Sequence, residues 1–206
     1  MRIAENRESI PEGAAGRFPR AARGAFTLIE MLVVIGIIGI LAALIVALTG
    51  TAGAKKVQSR VRTELNQLVG AIETYHKKNG FYPPDNTKGP AIAPWTTDQL
   101  TPLYYELTGV EPAPAVSTAL GVAGIANSGT NSQSFHHNLK PSGFAPAPPP
   151  IPDGTLLLVV PYKGPHGDFN PWHYNSSSPE HNTETYDLWA EVVINGKTEI
   201  IGNWKD

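Results

Sequence analysis

The sequence predicts an α+β fold in which a long N-terminal helix packs on a small C-terminal antiparallel sheet. Three patterns support this: an apolar run over residues 26–48, an amphipathic continuation to residue 79, and alternating apolar segments on either side of Asn195-Gly196. The helical pattern comes first in the chain and the strand pattern last, which is typical of the α+β class. The 206 residues suffice for one modest globular domain and a membrane segment.

The composition excludes several classes of function. Charged residues make up only 17% of the chain and the formal net charge is −2, so the cationic excess that nucleic-acid binding requires is missing. The chain has no cysteine, which excludes disulfides, thiolate catalysis and Cys-based zinc sites. We therefore expect no nucleic-acid partner.

Residues 1–25 are polar and irregular, and nothing in them can form a core. They combine five arginines with three glutamates: Arg2, Arg7, Arg17, Arg20, Arg23, Glu5, Glu8 and Glu12. We predict that this segment is a leader peptide.

The composition changes abruptly at Phe26. Residues 26–48 read FTLIEMLVVIGIIGILAALIVAL, with Glu30 as their only charge. As a helix this run would span about 35 Å, enough to cross a hydrocarbon core of roughly 30 Å. The run is longer than the apolar region of an ordinary secretory signal peptide, and we predict a transmembrane helix.

The helical pattern continues past the membrane segment, over residues 49–80. Apolar residues recur there at steps of three and four, on one stripe: Val57, Val61, Leu65, Leu68, Ile72 and Tyr75. Asn79-Gly80 is a C-terminal stop signal, and the prolines that follow prevent continuation. The sequence predicts a single helix over about 27–79.

Residues 81–153 look irregular, and we expect a loop-rich surface excursion. A short helix or turn is predicted over 100–107, and residues 113–126 are ambiguous. The proline-rich run FAPAPPPIPDG at 144–154 is expected to be extended and stiff.

Residues 154–206 read as strands. Residues 155–161 form a short apolar, branched run, and residues 186–194 alternate between apolar and polar. Asn195-Gly196 is the strongest short hairpin signal, and residues 197–201 form the return strand. A sheet of these strands would bury its apolar face against the helical stripe of residues 61–75.

The segment RGAFTLIE, from Arg23 to Glu30, resembles the processing site of prepilins and pseudopilins. The resemblance implies a pilin-like fold, cleavage by a prepilin peptidase between Ala25 and Phe26, and N-methylation of Phe26. The family usually has glycine directly before the phenylalanine, whereas here that residue is Ala25 and glycine lies one step earlier. Alanine is small enough that we expect processing, at a reduced rate.

Glu30 needs a physical explanation, because a carboxylate inside a membrane helix costs up to a few kcal/mol. Our hypothesis is that it pairs with the α-ammonium group of Phe26 on a neighbouring subunit and so drives assembly. The alternative is that Glu30 reaches the membrane interface and has no assembly role.

Four further segments, NGFYP at 79–83, NPWHY at 170–174, YDLW at 186–189 and GNW at 202–204, are similar to major (G-type) pseudopilins of the type II secretion system. The resemblance implies a non-enzymatic filament subunit in the bacterial inner membrane with its C-terminal domain in the periplasm. Its partners would be copies of itself, the prepilin peptidase, an assembly platform and membrane lipid. Two alternatives stay open: a type IV pilin for adhesion, motility or DNA uptake, and a single-pass anchored binding or enzymatic domain.

In that family a loop of the C-terminal sheet often binds calcium. The matching stretch here offers only Glu191, Asn195 and Glu199, whereas calcium needs six to eight oxygen ligands, so we predict no cofactor and leave calcium as the alternative. The histidines of the second half lack the spacing of a helical zinc site and are predicted to be packed or on the surface. Trp172, Trp189 and Trp204 are expected to pack between sheet and helix, with an exposed ligand-binding tryptophan as the alternative.

Overall fold

The computed structural model describes residues 26–90 and 92–204, except for the side chains of residues 46–52. The predicted leader, including Ala25, lies outside the described residues. The chain divides into two compact units, Met1–Ile45 and Val46–Asp206.

Helix α1 spans Leu28–Asn79, which confirms the single helix predicted over 27–79. In the first unit its apolar side chains are exposed on every face; Leu28 is 82% exposed and Ile40 66%. The stretch Leu28–Ile45 is long and apolar enough to cross a membrane. So much exposed apolar surface is stable only against lipid or other protein.

In the second unit α1 becomes amphipathic, as predicted. Its buried stripe consists of Val61, Leu65, Leu68, Ile72 and Tyr75, each at most 3% exposed. The helix stops where expected, because Gly80 adopts φ = 80° and donates its N–H to the His76 carbonyl oxygen at 2.7 Å.

Two short helices follow: α2 spans Leu103–Thr108 and α3 spans Pro114–Ala119. Strand β1 (Phe144–Pro146) pairs antiparallel with β2 (Leu156–Leu158). The start of the proline-rich run is therefore extended, as predicted, but it is part of a sheet, whereas a conformation closer to polyproline was expected. A separate antiparallel sheet has the order β3 (His173–Asn175), β4 (Asp187–Ile194) and β5 (Lys197–Gly202).

The predicted hairpin is confirmed. Strands β4 and β5 join through Asn195 (φ 52°) and Gly196 (φ 77°), and a two-residue turn with both φ values positive matches the twist of the strands. Alternate residues of β4 enter the same core as the α1 stripe: Leu188, Ala190, Val192 and Ile194. The predicted packing of sheet on helix is therefore also confirmed.

The expected surface excursion over 81–153 is wrong. This segment contributes many buried side chains to the core, among them Leu100, Leu103, Leu107, Leu120 and Phe135. Prolines and glycines interrupt the segment so often that its apolar residues show no period, yet each short piece turns one or two of them inward. The predicted helix near residues 100–107 is present as α2.

Glu106, on α2, is 0% exposed and ties three parts of this unit together. Its carboxylate accepts hydrogen bonds from the Tyr75 hydroxyl at 2.9 Å and from the backbone N–H groups of Ala126 (2.8 Å) and Asn127 (3.0 Å). Burial raises the pKa of Glu106 above its usual value, although these three donors oppose the shift.

Candidate processing and assembly site

The first turn of α1 is closed by Thr27 and Glu30. The Thr27 backbone N–H and hydroxyl both donate to Glu30 Oε2 at 2.8 Å, and the Glu30 N–H lies 3.3 Å from the Thr27 hydroxyl oxygen, which accepts its hydrogen bond. This is a capping box, in which a threonine and a glutamate three residues later satisfy each other's free N–H groups. The sequence T-x-x-E carries this signal, which our interpretation of Glu30 had not used.

The capping box gives Glu30 a role within its own chain, and it also leaves part of the carboxylate free. Among the described residues, Thr27 contacts only Oε2, and Oε1 accepts no hydrogen bond. A second donor, such as an ammonium group, can therefore approach Oε1 while the cap stays formed.

Phe26 directly precedes the capping threonine and is 72% exposed. Phe26 thus lies four residues before Glu30, just ahead of the first turn of the apolar helix. Ala25, the other residue of the predicted cleavage site, lies outside the described residues.

The apolar helix also offers surfaces for close packing. An added Cβ at Gly36 or Gly39 would meet nothing within 4 Å, so the backbone is open to a neighbouring element at both positions. Small residues at such positions let membrane helices approach closely.

The comparison with protein families supports the interpretation of this segment. The family model described as "Prokaryotic N-terminal methylation motif" matches residues 20–46. The match includes Ala25, Phe26 and Glu30 and most of the predicted membrane segment. No curated protein and no solved structure matches the chain.

The chain therefore carries a prepilin-type N-terminal methylation motif. This motif supports a type IV pilin-like or pseudopilin subunit, and together with the exposed apolar helix it indicates a membrane-anchored protein. The individual roles of Ala25, Phe26 and Glu30 stay predictions.

The β4–β5 hairpin, which the alternative prediction assigned to calcium, does not bring its two glutamates together. Glu191 pairs with Ile200 and Val192 with Glu199, so the two glutamates lie on opposite faces of the sheet. In residues 26–90 and 92–204, no three histidine or acidic side chains are grouped so as to hold a metal ion. The lack of a cofactor stays a prediction.

The histidines are packed or on the surface, as predicted. His173 is buried, bonds through Nδ1 to Asp98 Oδ2, and stacks on Trp189 with ring centroids 4.7 Å apart. His181 is exposed, lies 3.3 Å from the Asp187 carboxylate and stacks on Trp204 at 3.9 Å.

The tryptophan prediction is correct only in part. Trp172 is 3% exposed and belongs to the core. Trp189 and Trp204 are only half-buried, and Trp189 does not lie between sheet and helix. Trp189 occupies a position of β4 between the inward residues Leu188 and Ala190, so its ring lies on the opposite face of the sheet.

Proposed function

We propose that the chain is the precursor of a structural subunit of a pilus-like filament, a type II secretion pseudopilus at the bacterial inner membrane. A prepilin peptidase cuts between Ala25 and Phe26 and methylates Phe26, and copies then assemble through residues 26–48. The observation that carries the proposal is the prepilin-type motif at the head of a helix whose apolar faces are all exposed. The subunit itself catalyses no reaction.

Cleavage supplies the interaction that starts assembly. Removing the leader creates an α-ammonium group at Phe26, within the apolar part of the chain. An unpaired charge there is costly, and so is the Glu30 carboxylate, but the two offset each other when a neighbour's ammonium reaches Glu30 Oε1. Because the uncut chain lacks that ammonium, assembly is tied to processing.

The remaining apolar side chains exchange lipid for copies of the same helix. Lipid and helix are equally apolar, so close packing rather than hydrophobicity must favour association, and the open glycines Gly36 and Gly39 support it. The folded unit, Val46–Asp206, would stand on the periplasmic side.

Two observations favour a pseudopilus over a type IV pilin. The chain has no cysteine to close a C-terminal loop with a disulfide. Two of the segments that are similar to pseudopilins, YDLW at 186–189 and GNW at 202–204, also hold the sheet together. The Asn203 side chain accepts the Leu188 N–H at 3.0 Å and donates to the Tyr186 carbonyl oxygen at 3.1 Å.

The proposal is tested by expressing the chain in a bacterium with and without its prepilin peptidase and collecting sheared or detergent-released filaments. We expect filaments that contain the chain only when the peptidase is present. Chains that are processed but stay monomeric would support the anchored-domain alternative and refute the filament. If deleting the gene abolishes motility or DNA uptake but leaves protein secretion intact, the type IV pilin alternative is correct.

A further inference from the structure

A second open site lies in the folded unit, on the face of the β3-β4-β5 sheet opposite the core. It is a cleft of about 590 Å³ between the loops at residues 85–87, 97–98 and 175–181 and the side chains of Trp189, Ile200 and Trp204. The Ile200 side chain is 60% exposed, so the cleft opens to solvent.

One wall of the cleft is aromatic. The Trp189 and Trp204 ring centroids are 5.8 Å apart, with the ring planes at 63°. Each ring is backed by a stacked histidine, Trp189 by His173 and Trp204 by His181. The indoles are therefore held in place while part of their surface stays exposed.

The rest of the lining is polar. Among the residues that the structure describes, it includes the carboxylates of Asp85, Asp98, Glu180 and Asp187, and no lysine or arginine. Asp85 accepts the backbone N–H groups of Ser176 and Ser177, and these neutral donors leave its charge in place.

The other three carboxylates differ in their surroundings. Asp187 accepts the backbone N–H groups of Glu180, His181 and Asn182, and Asp98 bonds to His173. The exposed Glu180 carboxylate accepts no hydrogen bond from any described residue. With four carboxylates and no lysine or arginine among its described lining residues, the cleft has an excess of negative charge there.

The aromatic wall and the carboxylates together favour an organic cation as the ligand of the cleft. The carboxylates are not grouped as ligands for a metal ion in the described chain, so a metal does not explain them. A cation over an indole face gains attraction from the ring as well as from the carboxylates. A neutral glycan could stack on the indoles, but it would leave the charge excess without a partner.

We propose that this cleft binds an arginine or lysine side chain of a partner polypeptide. The aliphatic stem would lie along Trp189 and Ile200, and the charged group would reach the exposed carboxylate of Glu180. Arginine fits better than lysine, because its planar guanidinium both stacks on aromatic rings and pairs with carboxylates. This binding does not require filament formation. A result that refutes it would therefore leave the proposed filament function untouched, and the reverse also holds.

The test uses the full chain in nonionic detergent and follows tryptophan fluorescence during titration with acetyl-Gly-Arg-Gly-Arg-Gly-amide. The matched control peptide replaces both arginines by glutamine. We expect a saturable change with the arginine peptide, weakened by added salt, and none with the control.

Two charge reversals locate the binding. Glu180→Lys replaces an attractive charge in the cleft by a repulsive one and should weaken binding about tenfold. Glu111→Lys changes an exposed glutamate outside the cleft and should leave the affinity unchanged. Equal responses to both peptides, an unchanged affinity of Glu180→Lys, or saturable binding of maltotriose without binding of the arginine peptide would overturn the inference.

Discussion

Thr27 and Glu30 are joined by hydrogen bonds across the first turn of α1, where the threonine N–H and hydroxyl both donate to Glu30 Oε2 at 2.8 Å. This contact gives Glu30 two separable properties. Its Oε2 caps the helix, and its charge is the property that we propose to pair with a neighbouring subunit. Different substitutions remove one property and keep the other.

Glu30→Gln keeps a capping group, because glutamine also serves at this position of a capping box, but it removes the charge. We expect normal cleavage and methylation and a loss of filaments. Thr27→Ala is the matched control, since it removes the cap at a cost of about 1 kcal/mol and keeps the charge. Sedimentation of released filaments measures both, and filament loss in Thr27→Ala alone would assign the role of Glu30 to capping.

Ala25→Gly should speed up processing. Glycine restores the residue that the prepilin family usually has before the cleaved bond. Pulse-labelling of the precursor in cells with the peptidase should show a shorter half-life for the variant. Ala25→Val, which is bulkier, should lengthen it, and equal half-lives for all three chains would show that the peptidase does not sense this residue.

Glu106→Gln should destabilise the folded unit by about 2–3 kcal/mol, because the new amide N–H₂ faces N–H donors and leaves buried groups unpaired. Tyr75→Phe removes one donor to the same carboxylate and should cost about 1 kcal/mol. Urea unfolding followed by near-UV circular dichroism provides both values. If the two changes add in the double variant, Tyr75 and Glu106 are not coupled.

Asp187 should make the folded unit sensitive to acid. Burial raises its pKa, but hydrogen bonds from the backbone of His181, Asn182 and Glu180 outweigh this, and the folded-state pKa lies below the usual 3.8. A lowered pKa stabilises the fold at pH values above 3.8, and this stability is lost as the pH falls through the folded-state pKa.

The free energy of unfolding should therefore fall between about pH 5 and pH 3 in the native chain and fall less steeply in Asp187→Asn. Asp153→Asn, at an exposed site, is the control and should keep the native slope. An identical slope in all three chains would contradict the account of Asp187.

Gly202→Ala should displace Trp204. An added Cβ at Gly202 would come within 2.6 Å of the indole ring, closer than carbon atoms approach without a shift. We expect a cost of about 1–3 kcal/mol and a change in tryptophan emission as Trp204 leaves His181. Gly124→Ala, where an added Cβ meets nothing within 4 Å, should leave the spectrum unchanged.

Local patterns predicted the parts of the fold that depend on neighbouring residues. The stripe from Val61 to Tyr75 follows the helical period, and the Asn195-Gly196 turn specifies its hairpin through backbone conformation alone. Motif spacing likewise locates Phe26 and Glu30. The capping box was equally readable, since Thr27 and Glu30 stand three residues apart.

The parts that sequence could not predict depend on distant segments. Leu107 and Phe135 come from short pieces without a period, so their burial follows only from tertiary packing. Glutamate is a charged residue type, so the sequence predicts Glu106 on the surface. Its burial is explained only by the three hydrogen-bond donors that the fold brings to its carboxylate. The acidic cleft gathers loops about ninety residues apart, such as those of Asp85 and Ser177, whose contact no local pattern indicates.

The mature N-terminus tests the central claim most directly. Tandem mass spectrometry of the chain purified from membranes that contain the prepilin peptidase should find an N-terminal peptide that begins with N-methylated Phe26. A chain whose N-terminus is an unmethylated Met1 under these conditions would contradict the account.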